Sequence, residues 1–68
     1  MLSQFVKERR KRLGLTQEDL SLKAGVGLRF VRDLEQGKES LMMDKVNQVL
    51  ALFGHELGPQ PIERNENS

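Results

Sequence analysis

Apolar residues recur at helical spacing in four stretches of the chain, and a glycine follows each stretch. Leu2, Phe5, Val6 and Leu13 fall on one side of a helical wheel at about 100° per residue, so residues 3–13 read as an amphipathic helix ended by Gly14. The wheel puts Arg9 and Arg10 at or near that apolar side, so one of them is expected to be partly buried. In "LTQEDLSLKAG" Thr16 stands three residues before Asp19, a capping-box spacing, and Leu15 and Leu20 sit at the ends of a hydrophobic staple. A short second helix is predicted from Gln17 to Ala24, closed by Gly25. Helices of about two turns are marginal alone, so its neighbours must hold it. The third stretch places Phe30, Val31 and Leu34 on one side and stops at Gly37. The fourth, from about Asp44 to Phe53, repeats Val46, Val49, Leu50 and Phe53 at i, i+3, i+4 and i+7 before Gly54. Beyond it Phe53, His55 and Leu57 alternate with other residues, which with the thin core favours a short strand pairing across a dimer axis over a frayed helix end. "GPQP" then stops regular structure, and residues 58–68 are expected to be a disordered tail in which only Ile62 is strongly apolar.

Two short helices joined only through Gly25, Val26 and Gly27 make a helix-turn-helix. On the third helix the direction opposite the apolar side belongs to Arg29 and Arg32, with Leu28 and Asp33 at its margins. Two guanidiniums on an outer face suit a polyanion. The competing explanation is that they are solvated charges, Arg29 pairing with Asp33 at i+4 and Arg32 with Glu35 at i+3, each pair worth about 0.2–0.5 kcal/mol.

Composition narrows the class. With 68 residues the chain holds one domain, which buries only about 60% of the surface its unfolded chain exposes. Hydrophobic residues at 37% and charged residues at 31% fit a globular domain, and no apolar run approaches a membrane span. With no cysteine there is no disulfide or thiolate metal site to staple a thin core, so self-association is expected. The first residues lack a signal-peptide pattern, and a cytoplasmic location is expected. Net charge is only +1, yet residues 1–45 hold ten Lys and Arg against seven Asp and Glu, whereas residues 46–68 hold one against three. The basic cluster Lys7 to Arg12 is read equally well as a solvated face or as nonspecific attraction to a polyanion.

The segment "LGLTQEDLSLKAGV" followed by "FVRDLEQGK" resembles the lambda-repressor/Cro type of helix-turn-helix regulator over residues 3–53. Within that group, "RFVRDLEQGK" with "MDKVNQVLALFGHELG" looks like the HipB-like antitoxin regulators of toxin-antitoxin operons. The resemblance implies an all-α bundle of four or five short helices over residues 1–57, with a C-terminal strand pairing across a dimer. It implies a homodimeric repressor on a near-palindromic operator of double-stranded DNA, which also neutralises a HipA-like toxin kinase. Carried over residue by residue, Gln17 matches a phosphate-binding position at a helix N-terminus. Leu28, Arg29, Arg32 and Asp33 match positions facing the major groove, and Lys38 matches a loop phosphate contact. Arg10 and Glu35 match an interior ion pair, while Phe53, His55 and Leu57 match the dimerisation strand. Gly27 departs from the usual Ser or Thr cap, at a cost of a few tenths of a kcal/mol. Leu28 departs from a commonly polar position and suits a thymine methyl better than a hydrogen-bonding edge.

Other functions fit less of the sequence. No cofactor or metal is expected, because the lone His55 has no partner imidazole or thiolate, and a surface position suits it. An enzyme is not expected, since no nucleophile, base and orienting group recur at useful spacing. Met42 and Met43 read as core fillers. A protein-binding adaptor without operator specificity, a phage-type repressor and a restriction-modification controller remain alternatives.

Overall fold

A computed structural model describes residues 1–62 of the chain. Four helices follow in order, α1 (Leu2–Arg12), α2 (Gln17–Ala24), α3 (Leu28–Glu35) and α4 (Met43–Leu52), with no strand among the described residues. The four apolar stretches thus became the four helices, with boundaries within about a residue of the sequence pattern. The described part of the expected tail, residues 58–62, has no regular secondary structure; residues 63–68 lie outside the described residues.

Local chemistry sets the ends of α2. Thr16 Oγ1 accepts the Asp19 backbone N–H at 3.0 Å, and Asp19 Oδ2 accepts the Thr16 backbone N–H at 3.0 Å, completing the capping box. The Thr16 hydrogen bonds hold the Asp19 carboxyl below its ordinary pKa. At the other end Gly25 takes φ +75°, a left-handed conformation that a Cβ disfavours. That reversal brings the Gly25 and Val26 N–H groups back onto the Ser21 carbonyl, both at 3.0 Å, and turns the chain toward α3. Gln48 on α4 also donates to the carbonyls of Ala24 and Gly25, at 3.2 and 3.4 Å. The tight turn is therefore fastened from outside as well as from within.

The core lies where α1, α2 and α4 meet α3 and one another. Val6, Leu20, Val31, Leu34, Val46, Val49 and Leu50 are buried, and Leu2, Phe5, Ala24, Val26, Phe30, Leu41 and Phe53 close its edges. α3 packs on both α1 and α2, and α2 packs on α4. Each helix alone is too short to persist in water, so this shared apolar contact maintains them.

Two apolar expectations are corrected. Met42 and Met43 are exposed, at 57% and 71%, and do not fill the core. They stand at the very start of α4, before its first buried residue Val46, and Leu41 packs against that edge of the core in their place. Leu13 is likewise exposed at 57%, because it caps α1 outside the packed turns. The strand expected at residues 53–57 is one that pairs with a second copy of the chain; in the single chain these residues form no strand. Phe53 is instead the C-cap of α4, Gly54 takes φ +73°, and the His55 N–H returns to the Leu50 carbonyl at 2.9 Å.

Candidate nucleic-acid interface

α3 owes its two-sided character to its order of residues. Val31 and Leu34 are fully or almost fully buried and Phe30 packs at the core edge, which fixes the helix's rotation. Arg29 and Arg32 then lie exposed, while Leu28 and Asp33 are half-buried at the margins. The two carboxylates that might have engaged these guanidiniums are taken by other cations. Asp33 meets Lys38 at 3.6 Å, and Glu35 meets Arg10. Among the described residues Arg29 and Arg32 therefore form no ion pair, and neither of the two expected local pairs is present.

Asp33 and Lys38 come together because α3 ends in a left-handed Gly37, which brings the Lys38 N–H onto the Asp33 carbonyl at 3.0 Å. Their side-chain pair lies at the surface, Lys38 exposed and Asp33 half-buried, and contributes little, about 0–1 kcal/mol. Lys38 keeps 57% of its side chain exposed.

Behind this surface lies a polar knot tying three helices together. Arg10 Nε donates to Glu35 Oε2 at 2.6 Å and Arg10 Nη2 to Glu35 Oε1 at 3.0 Å, a bidentate pair joining α1 to α3. Arg10 Nη1 also donates to the Leu15 carbonyl at 2.8 Å, just before α2. Gln17 Nε2 donates to Glu35 Oε1 at 3.1 Å. The Glu35 side chain is only 1% exposed, and that of Arg10 12%. Burial pushes the Glu35 carboxyl up, but the hydrogen bonds from Arg10 and Gln17 and the charges of Arg10 and Lys7 outweigh it, leaving the pKa below its ordinary value. The hydrogen bond to Glu35 raises the Arg10 pKa further. The ion pair matched from the resemblance is thus present. Gln17 stands at the first position of α2 as expected, yet its carboxamide faces Glu35 in the free protein.

The C-terminal residues form a separate group. His55 Nδ1 lies 2.7 Å from the Phe53 carbonyl, which can only accept, so the ring donates there. The His55 and Phe5 rings stand 4.9 Å apart, edge to face, with Phe53 on the same Phe5 ring at 6.4 Å and the Arg9 guanidinium 5.0 Å from its centre. Asn47 Oδ1 accepts the Leu57 backbone N–H at 2.7 Å, drawing the chain back along α4. Met43, Asn47, Leu57, Gly58 and Pro59 line an open cleft of about 480 Å³. Sequence reasoning missed Asn47 and Gln48. Two carboxamides beside the apolar repeat of α4 were the available signal, but their partners lie 10 and 23 or 24 residues away. Among the described residues no cluster of His, Cys, Asp or Glu suits a metal ion, and no helix is long and apolar enough to cross a membrane.

Comparison with known proteins agrees with this geometry. The family model described as Helix-turn-helix matches residues 6–57. An HTH-type transcriptional regulator of Sinorhizobium fredii (strain NBRC 101917 / NGR234), y4mF, itself uncharacterized, is 51% identical over 45 residues. That match takes in 66% of this chain and 59% of the relative, so the chain spans about three-fifths of the relative's length. The matched region runs from the first buried residue of α1 through the turn, the arginine-bearing helix and the end of α4, and the chain belongs to the helix-turn-helix family of the XRE type.

Proposed function

We propose that the protein is a sequence-specific DNA-binding transcriptional repressor that inserts α3 into the major groove. The observation that carries this reading is the exposure of Arg29 and Arg32 without ion-pair partners among the described residues, on a helix whose other side is locked into the core. An eight-residue helix is about 12 Å long, which matches a major groove about 12 Å wide. A guanidinium reads guanine through O6 and N7, and Leu28 at the margin suits a thymine methyl. Lys38 and the start of α2 at Gln17 flank the helix as phosphate contacts. The relative's name, a transcriptional regulator, supports the same role. Titrating a labelled duplex from upstream of the protein's own gene, beside a scrambled duplex of equal length, tests it. Selective binding that weakens steeply with salt is expected, with a log-log slope of about 0.9 per neutralised phosphate. Equal affinity for both duplexes would refute operator recognition.

The finer reading is an antitoxin: a homodimer that represses its own operon and binds a HipA-like toxin kinase. Exposed Met43 at the start of α4, Leu57 across the same cleft and Ile62 beyond it supply apolar surface for a protein partner. In the dimer, residues 53–57 would leave their single-chain conformation to pair across the two-fold axis, and the two α3 helices would enter grooves about 34–36 Å apart. Sedimentation of the whole chain and of a chain ending at Gly54 tests the dimer, and an unchanged monomer-dimer equilibrium counts against the pairing. Repeating the DNA titration with the neighbouring gene product tests the antitoxin role, which predicts altered operator affinity in its presence.

A further inference from the structure

The Arg10–Glu35–Gln17 knot has more connections than a structural brace between α1 and α3 requires. Glu35 is an almost fully buried carboxylate, and it accepts from a residue at the start of α2 that DNA is proposed to touch. A primary carboxamide nitrogen carries two hydrogens. One of those on Gln17 is committed to Glu35 Oε1 at 3.1 Å, which fixes the plane of the amide and leaves one hydrogen for another acceptor. A phosphate oxygen on that second hydrogen would stand about 5 Å from the Glu35 oxygen, given ordinary hydrogen-bond lengths and the angle between the two N–H bonds. Two anions at that separation near a protein surface repel strongly unless a cation balances one of them. Arg10 is that cation, bidentate on the same carboxylate.

We propose that Arg10 is a positioning residue for DNA binding: by neutralising Glu35 it allows the carboxamide that Glu35 orients on Gln17 to donate its remaining hydrogen to a backbone phosphate. The role rests on the DNA-binding reading above. It differs from simple bracing in one respect, because the sign of the charge left behind decides the effect. Removing the guanidinium leaves an anion beside the phosphate site, whereas removing the carboxylate charge leaves a cation there.

The test measures anisotropy of a fluorescein-labelled upstream duplex at low salt and neutral pH, at a temperature where circular dichroism shows each variant folded. Arg10→Met is expected to weaken binding about tenfold or more. Arg10→Met/Glu35→Gln, which keeps an acceptor for Gln17 but no charge, is expected to regain most of that loss. Glu35→Gln alone is expected to bind more tightly than wild type. In the free proteins, the Gln17 side-chain amide resonances should lie apart from those of solvated glutamines in wild type and in the double variant. Arg10→Met that folds and binds as wild type does overturns the proposal, as does a folded double variant no better than the single. Should Arg10→Met fail to fold, Glu35→Gln decides, tighter binding supporting the role and weaker or unchanged binding overturning it. Wild-type protein that binds no duplex defeats the DNA reading and this role with it. Wild-type binding with unresponsive variants defeats this role alone.

Discussion

Replacing Arg29 or Arg32 with alanine separates recognition from stability more cleanly than any other change in this chain. Neither side chain is buried or ion-paired among the described residues, so its removal opens no cavity and strands no partner. The expected change in folding free energy is within about 0.5 kcal/mol, as for surface substitutions generally, and alanine favours the helix slightly. For a domain of this size that moves the melting temperature by no more than about 4 °C. Binding should respond on another scale. A bidentate arginine–guanine contact discriminates by about 1–3 kcal/mol, or roughly 5- to 150-fold per half-site, and the factor is squared when both half-sites of a dimer lose it. A lost phosphate contact would look different: weaker binding to every sequence and a salt slope smaller by about 0.9 per contact. Arg→Lys at the same positions sharpens the distinction, since lysine keeps the charge but not the planar fork. Anisotropy titrations of upstream and scrambled duplexes between about 50 and 200 mM salt, beside thermal melts, give all of these quantities. If both alanine variants kept wild-type affinity and selectivity, α3 would not be the groove-reading element.

Three further outcomes concern the scaffold. Thr16→Ala removes the acceptor for the Asp19 N–H and should cost about 1 kcal/mol, lowering the melting temperature by roughly 4–8 °C; an unchanged melt would mean water replaces the cap without loss. Gly27→Ser should stabilise by about 0.5–1 kcal/mol, because Gly27 is an extended N-cap at φ −72° with nothing within 4 Å of an added Cβ, and serine adds a cap while stiffening the unfolded chain. A lower melting temperature in chemical denaturant and in heat would show that the turn tolerates no side chain there. Asp19 and Glu35 both have folded pKa values below their ordinary ones, so the stability they contribute is present above about pH 4–5 and is lost as pH falls through the folded values. The melting temperature of wild type should therefore fall more steeply on acidification than that of an Asp19→Asn/Glu35→Gln variant, and equal acid slopes would remove these two groups from the account.

The knot beneath the interface also separates stability from purpose. A buried ion pair often adds no net stability over apolar residues of similar volume, because desolvation offsets the attraction, while loss of one partner is costly. Glu35 here receives three hydrogen bonds from residues 18 and 25 positions away, which satisfies the carboxylate and fixes how α1 and α2 meet α3. Geometry of that kind is what a recognition surface needs, since small rotations of α3 would misplace Arg29 and Arg32 together.

What the residues determined unaided were the features whose causes lie within a turn or two of chain. Apolar spacing produced four helices, Thr16 and Asp19 produced the start of α2, Gly25 its end, and the inward pull of Val31 and Leu34 turned Arg29 and Arg32 outward. The Arg10–Glu35 pair was legible only through family resemblance, because nothing local links residues 25 apart. The chain reversal at Gly37 gave Asp33 to Lys38, and tertiary packing gave Glu35 to Arg10 and Gln17, leaving the two outward arginines without an ion pair among the described residues. Packing also decided that Leu41 covers the core edge where Met42 and Met43 were expected, and that His55 folds onto Phe5 beyond the end of α4. Periodicity reports which side of an element is apolar, but how far that side is covered, and by whom, depends on elements brought together from distant parts of the chain.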